Sequence, residues 1–174
     1  CDMVRERGRK VMMWGDILVK YPDLIERLPS DVVLLNWEYG SMVTDKQSAL
    51  FGSKNRVFYN CPGVWGWSKF ANTIDSGCKN IRRMIEYGAR YGAKGILNTD
   101  WGDYGHINAL AGSFHGMILG AALSWNTSGP DDQSFDHAIS LIEFSDATGA
   151  TASLLRELGN LHTRWRVMIE GIGG

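Results

Sequence analysis

Four short apolar runs, each followed by a helical pattern, limit what this chain can become. The runs cover residues 10–15 (KVMMWG), 32–37 (VVLLNW), 56–60 (RVFYN) and 95–98 (GILN). The second is almost continuously apolar, as expected of a strand buried on both faces. Helical patterns follow near 18–28, 45–51 and 73–91, and a Gly/Ala-rich helix suited to close packing covers 109–123. In the longest of these, Ile74, Cys78, Ile81, Ile85 and Ala89 recur at spacings of three and four, one face of a helix. Strands alternating with helices imply βαβ units and a parallel sheet. Four units over about 125 residues make about half of a (β/α)8 barrel, whose usual length is ~250 residues. The expected fold class is therefore α/β: a partial (β/α)8 barrel over residues 1–126, then a helical extension over 134–174. The turn-rich stretch 126–133 (NTSGPDDQ) separates them, and the extension carries two amphipathic helices near 135–145 and 151–169.

Composition narrows the partners. Lys and Arg number 18 against 19 Asp and Glu, a net charge of −1, so no nucleic-acid partner is expected. The longest apolar run, 117–125, is too short to span a bilayer, so no membrane partner is expected. The three cysteines, Cys1, Cys61 and Cys78, show no CxxC or zinc-like spacing. They read as free thiols in a reducing compartment, which predicts a cytoplasmic protein. The chain opens at Cys1 and stops after a helical run, so it reads as a piece of a longer protein.

In a parallel α/β sheet, ligands bind at the C-terminal ends of the strands. Each expected strand here ends in a polar and aromatic cluster. The first ends at Trp14 and Asp16, the second at Trp37, Glu38 and Tyr39. The third ends at Tyr59 and Asn60, followed by Trp65 and Trp67. The fourth ends at Asp100, Trp101, Asp103 and His106. Trp beside polar groups at equivalent strand ends suggests a sugar site. Pyranose C–H faces stack on indoles, and carboxylates and amides take the hydroxyls. Structural roles stand beside these. Asp16 is equally an N-cap, Asp100 and Asp103 are equally turn residues, and a single Trp is equally rim packing. Trp125 at a helix end and Trp165 on an amphipathic helix read as structural, and His115, His137 and His162 as packing or surface residues. Asp100, Asp103 and His106 form a D-x-x-D-x-x-H run with ligands suited to Zn or Mn. The segment is Gly-rich and loop-like, so its spacing fixes no common face, and no metal is expected.

The strand-end motifs also carry a resemblance. The segments VMMWGDIL (11–18), VVLLNWEYG (32–40), YNCPG (59–63) with Trp67, and GILNTDWGDYGH (95–106) resemble the C-terminal half of family-20 glycoside hydrolases. These are the β-N-acetylhexosaminidases, and the bacterial exo-N-acetylglucosaminidase subgroup is most similar. The match continues through GAALSWN (120–126) into the later helices. It implies barrel strands five to eight, with Trp14, Trp37 and Trp101 around a terminal N-acetylhexosamine and its acetamido methyl. It implies hydroxyl contacts from Glu38, Asp100 or Asp103. The family's acetamido-binding Tyr on the seventh strand would correspond to Tyr59, and the neighbouring acid has no counterpart, Asn60 standing there. The family's catalytic Asp-Glu pair lies at the end of the fourth strand, upstream of Cys1, so no catalytic residue is expected in this chain. The implied chemistry is substrate-assisted retaining hydrolysis without a cofactor, in which the acetamido oxygen attacks the anomeric carbon. A half barrel leaves two sheet edges open, so self-association into a homo-oligomer is expected.

Overall fold

A computed structural model of the 174-residue chain describes residues 1–105 and 107–172, with side chains for all of these except Tyr104 and 162–172. The expectations for His106, and for the side chains of His162 and Trp165, lie outside the described residues. In chain order the elements are α1 (Asp2–Arg5), β1 (Met12–Trp14), α2 (Asp16–Lys20), β2 (Val33–Trp37), α3 (Lys46–Ser53), β3 (Phe58–Cys61), α4 (Ile74–Tyr91), α5 (Phe114–Trp125), α6 (Asp132–Phe144) and α7 (Thr151–Ile172). The helix expected over 18–28 is split. Pro22 cannot donate to a preceding carbonyl, so α2 ends at Lys20 and Pro22–Arg27 forms a separate 3-10 turn. α4 matches the expected span and stops at Gly92, whose left-handed φ of 79° suits a residue without a Cβ.

The three strands are parallel in the order β1-β2-β3, with Met13 opposite Leu34, Leu34 opposite Phe58, and Trp37 opposite Cys61. Leu34 and Phe58 face the helices and pack with Leu18, Ile25 and Phe51 in one core cluster, against which Met13 also packs. Two residues on, the same face carries amides instead of alkyl groups. Asn36 donates to Asn60 Oδ1 at 2.8 Å, and Asn60 donates to Ser48 Oγ at 2.9 Å and to the Met84 carbonyl at 2.7 Å. Both asparagines are buried, and these bonds offset much of the cost of removing their amides from water.

The half-barrel expectation is overturned. A half barrel needs four strands in one row, and the chain is a small α/β domain with three parallel strands and several helices. No row of barrel strands five to eight is present among the described residues. The fourth expected strand, 95–98, is reduced to two isolated parallel bridges, Asn60–Ile96 and Gly63–Thr99. Pro62 gives the physical reason. Asn60 bonds the segment from both sides, through its N–H to Gly95 and its carbonyl to Leu97. Pro62 accepts from the Thr99 N–H at 2.9 Å but has no N–H to return, so the ladder breaks there.

A second core lies among the helices. Ile74, Cys78, Ile81 and Ile85 of α4 pack with Leu119 and Leu123 of α5, Phe135 and Ile139 of α6, and Ala152 of α7. The three cysteines are free, and burial pushes the Cys61 and Cys78 thiols up to about 12. His115 is buried in α5, whereas Trp125 ends that helix 94% exposed and packs no core. Among the described residues no helix is long and apolar enough to cross a membrane.

A buried charge cluster joins the four long helices. Arg156 of α7 donates to both carboxylate oxygens of Asp136 in α6, at 2.8 and 2.6 Å, and to Asp75 in α4. His115 Nε2 lies 2.6 Å from Asp136 Oδ1, and since an ionised carboxylate only accepts, this nitrogen carries the proton. Burial works against the ionised form of Asp136. The hydrogen bonds from His115 and Arg156, with their attraction, outweigh it and lower the pKa to about 2. An unfolded Asp titrates near 3.9. The folded pKa is the lower one, so its stabilisation is complete above about pH 4 and is lost as pH falls towards 2. Removing this group's dependence by Asp136→Asn should therefore flatten part of the acid limb of a Tm-against-pH curve between pH 5 and 2. That part is roughly 2–3 kcal/mol for the native protein. An acid limb of the same steepness in the variant would show that another group dominates it.

Candidate functional site

Side chains alternate along a strand, so the face of the sheet turned away from the helices carries Trp14 and Trp37. Trp67 reaches the same region from the loop after β3, and Trp101 from the segment after the Thr99 bridge. These four indoles, with Tyr39, Asp16 and Asp103, line an open cavity of about 420 Å³. Small-ligand sites commonly occupy about 300–1,000 Å³. A larger cavity, about 660 Å³, lies by the Arg156 cluster. Its carboxylates are already engaged, Asp75 and Asp136 with Arg156 and Asp132 with Arg82. The aromatic cavity is thus the stronger candidate.

Tyr39 organises the aromatic groups. Its ring stacks on Trp37 with centroids 5.1 Å apart and tilts against Trp67 at 5.0 Å. Its hydroxyl accepts from Trp101 Nε1 at 2.6 Å, and its carbonyl accepts from Trp65 Nε1 at 2.7 Å. Trp101 in turn tilts against Trp14 at 5.6 Å. One residue therefore touches four of the indoles and connects through Trp101 to the fifth. Burial raises the Tyr39 phenol pKa, against smaller opposing hydrogen bonds from Thr99 and Trp101. The phenol stays protonated at neutral pH, so it can also donate.

The loop after β3 holds its indoles by a strained path. Trp65 and Ser68 have φ of 61° and 58°, in the left-handed region that L side chains rarely adopt. The Thr73 N–H donates to the Trp65 carbonyl at 3.1 Å, and the Trp65 indole is tied to Tyr39. The buried Lys69 ammonium lies 4.5 Å from the Trp65 ring centre and 5.8 Å from that of Trp67.

The residues expected to form a site divide into two groups. Trp14, Asp16, Trp37, Trp67, Trp101 and Asp103 line the one cavity. Asp16 is the first residue of α2 and makes no capping hydrogen bond, so the N-cap alternative has no support there. Tyr59 shares the cavity face of the sheet, but its ring lies against Gly95 and is not part of the lining. Asn60 faces the helices in the buried amide network. Asp100 turns its carboxylate beneath Gly66, where a Cβ would stand 3.0 Å from Oδ1. Glu38 is half-buried outside the lining, and burial raises its carboxyl pKa. His106 lies outside the described residues. Tyr39, part of the cluster at the end of the second strand but given no contact of its own there, completes the lining. Its signal was present, since Trp37 and Tyr39 stand two apart at a strand end and share a side.

No group of three or more His, Cys, Asp or Glu side chains that could hold a metal occurs among the described residues. No protein-family model and no curated protein matches the sequence.

The two groups of residues should behave oppositely on substitution. Asn60→Ala removes the Asn60 bonds to Asn36, Ser48 and the Met84 carbonyl, leaving Asn36 and Ser48 with only their long 3.4 Å contact, and should cost about 1–3 kcal/mol in urea unfolding. It should leave tryptophan emission unchanged. Tyr39→Phe removes the hydroxyl that Trp101 and Thr99 bond and should shift that emission while costing about 1 kcal/mol. An unshifted spectrum in Tyr39→Phe would contradict its organising role.

Proposed function

We propose that the aromatic cavity binds the terminal N-acetylhexosamine of an oligosaccharide, as the sugar-binding part of a β-N-acetylhexosaminidase-like glycosidase. The observation that carries this reading is the convergence of Trp14, Trp37, Trp67, Trp101, Tyr39, Asp16 and Asp103 on one cavity. A pyranose has apolar C–H faces and a polar rim. Indoles cover the faces with large, rigid apolar area. Asp16 and Asp103 accept from hydroxyls, and the Tyr39 hydroxyl donates to a ring or acetamido oxygen. The resemblance of the strand-end motifs supports an acetamido sugar in this site, since it would make Trp14, Trp37 and Trp101 the counterparts of the family's walls around that group.

The residues here bind and orient. None of those lining the cavity corresponds to the family's Asp-Glu pair, which positions the acetamido group and transfers protons in substrate-assisted hydrolysis. Aromatic walls contribute by holding the ring in its reactive geometry and excluding water. No cofactor enters this chemistry.

Titration of tryptophan emission with N-acetylglucosamine, N-acetylgalactosamine and glucose tests the reading. Saturable change with the N-acetyl sugars, absent in Trp101→Ala and weaker for glucose, is the expected result. Equal response to glucose would remove the acetamido preference, and no response to any sugar would overturn the carbohydrate assignment. The same chain should release no chromophore from β-N-acetylglucosaminides. Turnover that survives stringent purification would show that the acid and base are among its own residues.

A further inference from the structure

The wall of the cavity is supported from beneath by one buried side chain, Asn72. It is 3% exposed and belongs to no regular element. Its amide nitrogen donates to the Val64 carbonyl at 3.2 Å, at the root of the Trp65–Trp67 loop, and to Ser113 Oγ at 3.1 Å, just before α5. Its amide oxygen accepts from Asn108 Nδ2 at 2.7 Å. Asn108 follows Trp101 and Asp103 in the chain. The segments on which Trp67 and Trp101 lie are therefore both hydrogen-bonded to this one amide, beside their own contacts to Tyr39, Pro62 and Thr73.

Three glycines make the space for it. A Cβ at Gly66, between the two indoles of the loop, would stand 2.8 Å from Asn72 Nδ2 and 2.8 Å from Asn108 Nδ2. A Cβ at Gly112 would stand 2.8 Å from Asn72 Oδ1. A Cβ at Gly159, on α7, would overlap the Asn72 carbonyl oxygen. Distances under 3.0 Å cannot be absorbed without movement, and at Gly159 the obstacle is backbone, which yields least. The last helix of the chain thus bears directly on the residue that holds the aromatic wall. Three residues earlier on the same helix, the Arg156 contact to Asp75 ties it to the first turn of α4.

We propose that Asn72 is a positioning residue for the aromatic cavity, setting the Trp67 and Trp101 walls and making their placement depend on the seating of α7. The claim that these walls hold a sugar rests on the function proposed above; the claim that Asn72 places them does not. A residue that merely fills space would lower affinity and stability together. A positioning residue changes the wall at matched stability.

The test compares Asn72→Ala, Gly159→Ala and Ile25→Val, the last in the separate core under β1–β3. Each is measured by far-UV circular dichroism, thermal unfolding, the near-UV tryptophan bands and N-acetylglucosamine titration. Trp65 and Trp67, with centroids 5.7 Å apart, are close enough to couple in the near-UV, and Trp65→Phe assigns their band. The expected result is that Asn72→Ala and Gly159→Ala keep their helical signal, weaken that band and raise the sugar Kd on the order of tenfold to a hundredfold. Ile25→Val, compared at equal distance below its Tm, should keep both band and Kd. If Asn72→Ala fails to fold, Gly159→Ala carries the comparison alone. Unchanged bands in the variants that fold, or equal changes in Ile25→Val, overturn the proposal. If the native chain binds no sugar, the functional reading falls, and the near-UV bands still decide the role of Asn72.

Discussion

The pairing of β2 with both neighbours is the constraint on which the rest depends. Its register places Leu34 and Asn36 against Phe58 and Asn60 on the helix side, and Leu35 and Trp37 against Tyr59 and Cys61 on the other. The side-chain period is two, so a slip of one residue would exchange these sets completely. Trp37 would then enter the space now filled by the Asn36–Ser48–Asn60 network, and the amides would face the cavity. Both arrangements would lose. A buried amide without partners costs on the order of 1–3 kcal/mol, and the cavity would lose a wall. The amide network therefore acts as a register lock, and the site inherits its geometry from it.

Above the sheet, the cavity is assembled from segments far apart in sequence. Trp14 and Trp37 stand at the ends of β1 and β2, Trp67 comes from the loop after β3, and Trp101 from the segment after the Thr99 bridge. Tyr39 makes them one surface, through stacking with Trp37, contact with Trp67 and hydrogen bonds with Trp65 and Trp101. The positive φ at Trp65 is tolerated because the indole and the carbonyl of that residue are both fastened. Fastening both groups restricts the freedom of the Trp65 backbone and indole. The helical side supplies the foundation, where Arg156 gathers Asp75 and Asp136 and so locks α7 to α4 and α6.

Much of the local structure was legible in the residues. The i, i+3, i+4 pattern of Ile74, Cys78, Ile81 and Ile85 places α4 almost to the residue, because burying a helix face demands that period. Pro22 splits a pattern that periodicity alone reads as one helix. The fourth strand was misread for a related reason. GILN has the composition of a strand, but strand status depends on the partner, and the partner presents Pro62 where a donor is needed. The half barrel drawn from counting units therefore became a three-stranded sheet. Within the site, Tyr59 and Asn60 were misplaced because a strand end has two faces, and composition does not say which one a residue occupies until the register is known.

By itself the sequence determined the alternation of strands and helices, the parallel pairing it implies, and the gathering of Trp and acidic residues at strand ends. These are local consequences of apolar period and chain order. Only the tertiary structure decided which of those residues share a cavity, that Tyr39 joins them, and that Asn72 and α7 support them from below. The physical reason is that hydrogen bonds and close contacts between residues tens of positions apart leave no period in the chain. They arise when register, helix packing and the absence of a Cβ at a few glycines bring those groups within reach.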